Sequence, residues 1–353
     1  MTNWKRIKLD EFTFPEAREY EKEYLNQGSL SENVKLNETR DVNDILIIDE
    51  LRKGFTGVGR EFTNHVISNY NTGLSLYIPK GEIVKDPIKL EFKMDRDNPT
   101  IIDQNIIIAS PSSRSTIVFD YLSEDEQYNF HNGMTKVYAQ ENSEVTIVKI
   151  QRMNDFSHNF DSNIAYVQRG ARVNWVTIEM GSEISGSHYT TILEDEFSQG
   201  NLASIYLGDR SRKMDLEYTM VHKGRRSISN IESRGVLMDE ATKVFRGNLD
   251  FKKGAKLSRG VEEEYVVLLD PAVKSDSIPA LLCEEDDVSG EHAASAGQIN
   301  EDQLFYLMSR GLSLNEAKKL IVTASFRPIL DKIPIEDMKN TLIDEVSRRL
   351  DND

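Results

Sequence analysis

The fold is decided by three short segments that recur along the chain: Ser115-Thr-Ile117, Ser143-Glu-Val145 and Ala171-Arg-Val173. In each segment a small residue precedes a β-branched residue by two positions, and the β-branched residues follow one another every 28 positions. A constant period of this size, built from short strand-forming runs and polar corners, is typical of a solenoid. The sequence therefore predicts a parallel β-helix, although a two-sheet β-sandwich would also accommodate such short strands.

The same pattern extends on both sides of these segments, from Leu74 to Leu282. Short β-branched runs alternate there with Gly, Asn, Ser and Asp, and few of them are separated by the Asn-Gly or Asp-Gly pairs of tight hairpins. Amphipathic helices do not intervene, which disfavours a doubly wound α/β fold. We expect a mainly β core over residues 74–297. The predicted strand runs are Leu74–Ile78, Ile101–Ala109, Thr116–Tyr121, Val145–Gln151, Val173–Glu179 and Ala203–Leu207.

Helices are predicted before the β core, in residues 1–73. Pro15 suits the first helical position, the charged stretch Glu16–Leu25 follows it, and Gly28 is placed to end the helix. A second helix is predicted over Val42–Lys53, where apolar residues recur every three positions. The polar span Ser29–Asn43 between them is expected to be a connector.

A small helical module is predicted after the core, in residues 298–353. Asn300 suits the cap of a helix over Glu301–Arg310. Ser313-Leu-Asn-Glu316 has the spacing of a capping box, and a second helix over Leu314–Ala324 follows it. Pro328 is expected to interrupt the pattern before a third helix.

Composition narrows the classes of function. The 353 residues include 43 Lys and Arg against 59 Asp and Glu, and the net charge of −16 disfavours nucleic-acid binding. The single cysteine, Cys283, allows no intrachain disulfide and suits a reducing compartment. No run approaches the ~20 apolar residues of a membrane helix, and Met1–Asp10 lacks the apolar region of a secretory signal. We therefore expect a cytoplasmic protein that binds neither nucleic acid nor membrane.

Histidines are the residues with the clearest chemical interest, because no phosphate-binding loop, zincin helix or Gly-x-Ser-x-Gly elbow occurs. His131, His158 and His188 are spaced close to the repeat length, so they would form either a metal-binding column or three unrelated turn histidines. His292 lies in an acidic stretch at the junction of the β core and the helical module. That stretch would offer nitrogen and oxygen ligands, although a histidine among acidic residues is usually a solvated ion-pair partner.

A series of short motifs runs through the second half of the chain. It comprises His222-Lys-Gly224, Ser233-Arg-Gly235-Val-Leu237, Val244-Phe-Arg-Gly247, Ser277-Ile-Pro279-Ala-Leu281, Asp286-Asp-Val288, His292-Ala293, Leu304-Phe-Tyr-Leu-Met-Ser-Arg-Gly311 and Ala317. This series resembles the signature of the SufB/SufD family, the scaffold subunits of the Suf iron–sulfur cluster assembly system. The likeness covers roughly residues 74–330.

The resemblance implies a right-handed parallel β-helix core with helical ends, in agreement with the repeat. Family members pair through their cores and bind an ABC-type ATPase, the SufC-type subunit, through the C-terminal helical module. The chain would then be a non-catalytic scaffold, and its partner ATPase would supply ATP hydrolysis. A flavin in the complex is a further cofactor that the resemblance leaves open.

In this family a nascent iron–sulfur cluster forms between two cores, with a cysteine from the SufB-type subunit and a histidine from the SufD-type subunit. His292 matches that histidine, and Glu291 and Cys283 are secondary candidates for cluster ligands. The motif Glu291-His292-Ala293 departs from the His-Glu-Ala of SufB and the His-Gly-Ala of SufD members. No cysteine precedes Cys283, which we expect to be a small buried residue, so the chain is more similar to SufD than to a sulfur-accepting SufB.

The two capped C-terminal helices are the expected ATPase contact. The predicted contact residues are Phe305, Tyr306, Arg310, Gly311 and Ala317. Phe305 and Tyr306 would alternatively pack the module on the β core.

Two other functions remain open from the sequence. One is a homodimeric scaffold that serves both partner roles, with Cys283 and His292 as its only soft ligands. The other is a carbohydrate-active β-helix enzyme, because polysaccharide lyases and hydrolases share this architecture. Such an enzyme needs a groove of carboxylates and basic residues, whereas the sequence shows only a general acidic excess.

Overall fold

The computed structural model describes residues 12–24 and 33–351, and its core consists of two β-sheets that face each other. Sheet 1 has ten strands and sheet 2 has eight. Sheet 1 contains β1 (Lys35–Glu38), β2 (Leu74–Ile78), β4 (Thr100–Ala109), β6 (Phe130–Ala139), β8 (His158–Val167), β10 (Ile184–Leu193), β12 (Lys213–His222), β14 (Thr242–Phe251), β16 (Lys274–Ser277) and β17 (Ala280–Cys283). Sheet 2 contains β3 (Ile88–Met94), β5 (Arg114–Ser123), β7 (Glu144–Arg152), β9 (Arg172–Glu179), β11 (Gln199–Gly208), β13 (Ile228–Leu237), β15 (Arg259–Leu268) and β18 (Ser289–Gln298).

From β2 onward the chain alternates between the two sheets, except that β16 and β17 are consecutive and both pair with β14 in sheet 1, so neighbouring strands within a sheet are one coil apart. All described pairings within the sheets are parallel, except that β1 runs antiparallel to β2. With one strand of sheet 2 in each coil, the eight strands of that sheet correspond to eight stacked coils. The predicted parallel β-helix is confirmed, and the two-sheet sandwich is excluded.

The repeat is confirmed with one correction to its alignment. Val145 pairs with Val173, 28 residues further along, as predicted. Ile117, however, pairs with Ile147 and not with Val145. The earlier coil is two residues longer, because β5 has ten residues where β7 has nine, and the corner 124–129 is one residue longer than the corner 153–157.

A corner that recurs in six coils explains why the repeat is visible in the sequence. At this corner a residue with left-handed φ, between 54° and 63°, is followed by a small buried residue. The left-handed residues are Ser112, Asn142, Gly170, Phe197, Arg226 and Leu257. The small residues that follow are Ser113, Ser143, Ala171, Ser198, Ser227 and Ser258. The residue equivalent to Ser143 in the preceding coil is therefore Ser113, and not Ser115 as the sequence pattern predicted.

Five helices are found in the described residues: α1 (Ile45–Arg52), α2 (Arg60–Asn69), α3 (Glu301–Ser309), α4 (Leu314–Leu330) and α5 (Glu336–Asp351). The helix α1 confirms the prediction over Val42–Lys53, with Asp44 as its N-cap. The three C-terminal helices are confirmed, including the capping box of Ser313 and Glu316. Pro328 does not interrupt α4, because it lies in the last turn of that helix.

The helix predicted over Glu16–Leu25 is wrong for the residues that the structure describes, since 12–24 contain no helical residue; Leu25 and Gly28 lie outside them. The segment instead lies along β3. The Tyr20 hydroxyl accepts from the Lys93 amide at 3.0 Å and donates to the Lys93 carbonyl oxygen at 3.1 Å, and the Tyr24 ring stacks on Phe92. These long-range contacts outweigh local helix propensity.

The sequence did not predict α2 or β1. The N-cap of α2 is Gly59, whose lack of a side chain removes the usual start signal. The expected connector Ser29–Asn43 contains β1 and a short 3-10 turn over Thr39–Asp41 in its described part.

Helices pack on the outer faces of both sheets. Phe62 and Val66 of α2 pack on sheet 1 against Phe130 and Phe160. The apolar faces of α4 and α5 pack on sheet 2, where Val148, Ile178 and Ile205 belong to one buried cluster with Phe326 and Leu342. Helices therefore cover part of the outer face of each sheet, whereas outward-facing residues of the later coils, such as Ile228 and Tyr265 of sheet 2, stay exposed.

The two ends differ. At the first coil β1 pairs with β2, and the Tyr24 carbonyl oxygen accepts a hydrogen bond from the Glu91 amide of β3 at 2.7 Å. At the last coil, no described strand pairs with the outer edge of β16, β17 or β18. Nine of the ten residues of β18 are exposed. We call the surface formed by β16, β17 and β18 the open end.

Candidate functional site

One column of inward-facing side chains changes character as it approaches the open end. In sheet 2 the register aligns one residue per coil, and the next two after Ile231 are Glu262 on β15 and His292 on β18. Register partners in a parallel sheet project from the same face about 4.8 Å apart, so Glu262 and His292 occupy neighbouring positions on that face. The earlier members are all apolar and buried: Ile88, Ile117, Ile147, Trp175, Leu202 and Ile231.

Glu262 is buried without a partner. The residue is 1% exposed, and neither of its carboxylate oxygens has a hydrogen-bond partner in the described structure. Its side chain reaches across to sheet 1 and packs over Gly247, where an added Cβ atom would lie 2.6 Å from the Glu262 Cδ atom. Burial, together with the nearby carboxylates of Glu264 and Glu263, raises the pKa of Glu262 to about 7.

Glu264 is two residues further along β15 and is fully paired. Its Oε1 atom accepts hydrogen bonds from the Lys243 ammonium at 2.7 Å and from the Tyr206 hydroxyl at 2.7 Å, and the Ser277 hydroxyl donates to Oε2. The side chains of Lys243 and Glu264 are both 0% exposed. This ion pair joins sheet 1 to sheet 2, so Glu264 has a structural role.

His292 is exposed on β18, and no described residue hydrogen-bonds to its ring. Glu291 pairs with Val261 and therefore points to the opposite face of the strand from His292. In register His292 thus adjoins Glu262, which the sequence did not suggest, whereas Glu291 lies on the other face.

Cys283 is exposed on β17, which corrects the expectation that it is buried. The reason is that no further coil covers this strand. Leu281 and Gly290 face each other across the open end. Cys283 lies two residues beyond Leu281 along the strand direction, and His292 lies two residues beyond Gly290 in the opposite direction. At about 3.3 Å per residue, Cys283 and His292 are therefore about 13 Å apart along the strands. One mononuclear site does not include both residues.

The three regularly spaced histidines do not form a metal column. His131 pairs in register with Asn159, and His158 pairs with Phe130. The His131 ring is buried between Asp103 (2.7 Å) and Asn159 (2.5 Å). Across the described residues, no three His, Cys, Asp or Glu side chains are grouped closely enough to hold a metal ion.

The exposed face of α3 is the second candidate surface. Phe305 is 75% exposed and Tyr306 56% exposed, and α3 has no buried residue, so these aromatics do not pack the module on the β core. The Arg310 guanidinium lies over the Tyr306 ring, 5.3 Å from its centroid. Gly311 follows with φ of 100°, whereas Ala317 is buried within the module.

Glu262, Glu264 and Lys243 are the site residues that the sequence did not identify. Glu262 and Glu264 belong to the run Glu262-Glu-Glu264, which looks like a solvated acidic stretch. The available signal was alternation along β15, because Gly260, Glu262, Glu264 and Val266 are buried while the residues between them are more exposed.

The described residues thus define an open-ended β-solenoid with an imidazole on its terminal coil. The family model for the SufBD core domain of SUF system FeS cluster assembly matches residues 92–325, well over half of the chain. The chain therefore belongs to this family of iron–sulfur cluster assembly proteins.

Individual relatives agree with the family match. Iron-sulfur cluster assembly protein SufD of Bacillus subtilis is 27% identical over 285 residues, which are 79% of this chain and 64% of that protein. A SufBD family protein of Mycobacterium leprae is 27% identical over 266 residues, 74% of this chain and 30% of the relative. A SufBD family protein of Staphylococcus saprophyticus is 26% identical over 268 residues, which are 76% of this chain and 58% of that relative. The chain spans less than two thirds of each relative.

None of the helices within residues 12–24 and 33–351 is both long and apolar enough to cross a bilayer.

Proposed function

We propose that this chain is a non-catalytic scaffold subunit of the Suf iron–sulfur cluster assembly complex, and that it pairs with a SufB-type subunit through the open end. The observation that carries the proposal is the difference between the two ends of the solenoid. The first coil is covered, whereas the last coil leaves the outer edge of the ten-residue strand β18 free, with His292 on that strand. A free strand edge of this length is a template for pairing with another chain.

The hydrogen-bonding pattern of β18 supports this pairing. The Ser289 amide donates to Ser258 of the previous coil, and the Ile299 amide donates to Leu268. Because successive amides of a strand alternate in direction, those of His292, Ala294 and Ala296 point to the free edge. The small side chains beside His292 allow a second strand to approach closely.

His292 is the residue that this chain offers to the nascent cluster, which is the cargo of the complex. A neutral imidazole is a suitable ligand for iron. The chain has no cysteine before Cys283, so the sulfur-accepting cysteine comes from the SufB-type partner. This division of ligands assigns the SufD-like role to the chain, and membership in the family argues against the carbohydrate-active enzyme.

The exposed aromatic face of α3 is the docking surface for the SufC-type ATPase, which supplies ATP hydrolysis. Phe305 and Tyr306 are large and exposed, and Arg310 lies beside Tyr306; aromatic residues and arginine are enriched in protein interfaces. Gly311 ends α3, and buried Ala317 supports the surface from within α4. A flavin in the complex stays a prediction, with no residue assigned to it.

The test is to co-express the chain with a SufC-type ATPase and a SufB-type subunit, and to measure the mass, iron and sulfide of the purified complex. We expect His292→Ala to give a complex of unchanged mass that fails to hold a cluster. Glu291→Ala is the matched control, because Glu291 is adjacent but points to the opposite face, and it should retain the cluster. Full cluster content in the His292→Ala complex contradicts the proposal, and a complex with two copies of this chain indicates the homodimeric scaffold instead.

A further inference from the structure

The proposed function uses His292 and leaves Glu262 unexplained. An ionisable side chain that is 1% exposed, with both oxygens unpartnered, costs folding free energy. Its neighbour Glu264 demonstrates that this interior can satisfy a carboxylate, with an ammonium and two hydroxyl donors. Glu262 has no such donor among the described residues.

The opposite sheet leaves space for this carboxylate. Gly247 of β14 lies under the Glu262 side chain, and a Cβ atom there would be 2.6 Å from Glu262 Cγ and Cδ and 2.8 Å from Oε1. No side chain other than glycine's fits this approach without moving the carboxylate. Gly247 belongs to the motif Val244-Phe-Arg-Gly247, to which the proposed function assigns no role.

We propose that Glu262 and His292 together bind one divalent iron ion at the open end. Both side chains project from the same face of adjacent strands, and they are the first polar members of a column that is apolar over six coils. Carboxylate and imidazole form the ligand set that non-haem iron(II) takes in proteins. This inference deepens the proposed function, because it names Fe²⁺ as the species that the open end receives.

This chain supplies only part of the coordination sphere of the ion. In the described structure no third His, Cys, Asp or Glu joins the pair, so this chain supplies two ligands and the other coordination positions are left to water or to a partner. The open end reaches such an ion from the side of the exposed His292, where a second subunit would meet it, whereas the Glu262 oxygens are buried.

The test is anaerobic equilibrium dialysis of the full chain against Fe²⁺ alone. We expect one Fe²⁺ per chain. Loss of a second-shell residue already weakens metal binding about 10- to 100-fold, so loss of a direct ligand in Glu262→Gln or His292→Ala should weaken it at least about tenfold. Glu263→Gln is the matched control, because this exposed carboxylate on the same strand points away, and its affinity should equal that of the wild type.

A second variant tests the geometry without removing a ligand. Gly247→Ala keeps Glu262 but displaces its carboxylate, so Fe²⁺ binding should weaken while circular dichroism reports a folded solenoid. Absence of Fe²⁺ binding by the wild-type chain, or equal affinity in Glu262→Gln, overturns the inference. These outcomes are separate from failure of the proposed function, which is read from the mass and cluster content of the complex with the ATPase.

Discussion

Glu262 and Glu264 project from one strand into the same interior, yet only Glu264 is paired. The contrast separates two uses of a buried carboxylate. The Lys243–Glu264 ion pair joins the sheets, whereas Glu262 contributes nothing to the fold that a neutral side chain would not contribute. Neutralising Glu262 and removing the partner of Glu264 should therefore change the free energy of unfolding in opposite directions.

Replacing Glu262 by Gln should stabilise the protein at high pH. The pKa of this carboxyl is raised from 4.5 to about 7, so the folded state binds the proton more tightly than the unfolded state. The stabilisation from that proton is complete below pH 4.5 and is lost as the pH rises through 7. We expect Glu262→Gln to raise the free energy of unfolding by about 1–3 kcal/mol at pH 8 and much less at pH 5.

Urea denaturation at pH 5 and pH 8 measures this difference. The charged groups that act on Glu262 are Glu263, Glu264 and Lys243, and all are retained in the variant. Glu263→Gln, at an exposed position, serves as the control and should change stability by less than about 0.5 kcal/mol. A Glu262→Gln variant that is less stable than the wild type at pH 8 would indicate a structural role.

Replacing Lys243 by Met should destabilise the protein strongly. The change leaves the Glu264 carboxylate buried without its ammonium partner, which costs about 3–5 kcal/mol. The double variant Lys243→Met/Glu264→Leu removes both charges and should recover most of that loss. Thermal and urea unfolding of the two variants provide the measurement, and equal stability of the single and double variants is the contrary result.

The sequence could locate His292 but not its neighbour. The His292-Ala293 motif is local and visible in the sequence, whereas the burial of Glu262 depends on β15 and on the glycine of another strand. Cys283 was expected to be buried because cysteines usually are, and it is exposed because the solenoid ends there.

At the scale of single elements, β18 determines whether the open end can pair. Ala296→Pro removes an amide that points to the free edge and leaves the bonds between β18 and β15 intact. We expect stability to change by less than about 1 kcal/mol, while co-purification with a SufB-type subunit is lost. Ala296→Ser keeps the amide and is the control. Unchanged pairing of the proline variant contradicts the role given to this edge.

The helix α3 gives a second prediction at this scale. Phe305→Asp with Tyr306→Asp should leave the unfolding free energy within about 0.5 kcal/mol of the wild type, because both residues are exposed. The same double variant should no longer retain the SufC-type ATPase in a pull-down experiment. Asn340→Asp, on the exposed part of α5, is the control for added charge. Retention of the ATPase by the double variant assigns the docking surface elsewhere.

Elements with local signals could be predicted, and elements that depend on distant contacts could not. The capping box of α4 and the Asp44 cap of α1 each depend on a few adjacent residues. The charged stretch 16–24 has helical composition but is held on β3 by Tyr20 and Tyr24. The repeat period was visible because its corner residues are small, yet one extra residue in β5 and one in the corner 124–129 together shifted the partner of Ile117 by two positions.

At the scale of the whole molecule, helices cover part of each outer face of the solenoid, and the described chain covers only one of its two ends. A stack of coils needs a cap at each terminus, because an uncovered coil exposes backbone groups and apolar side chains. Leu281 and Leu282 of β17 are 38% and 54% exposed at the open end. The period predicts the stack, but which end stays uncovered follows only from the three-dimensional path of residues 12–24 and β1.

The single cysteine allows the most direct test of whether the open end is the pairing surface. Cys283 is exposed on β17, so an alkylating reagent should modify it readily in the isolated chain. We predict that binding of the SufB-type subunit slows this modification at least about tenfold, measured by mass spectrometry of the peptide that contains Cys283. Equal rates of modification in the isolated chain and in the complex would show that the partner binds elsewhere.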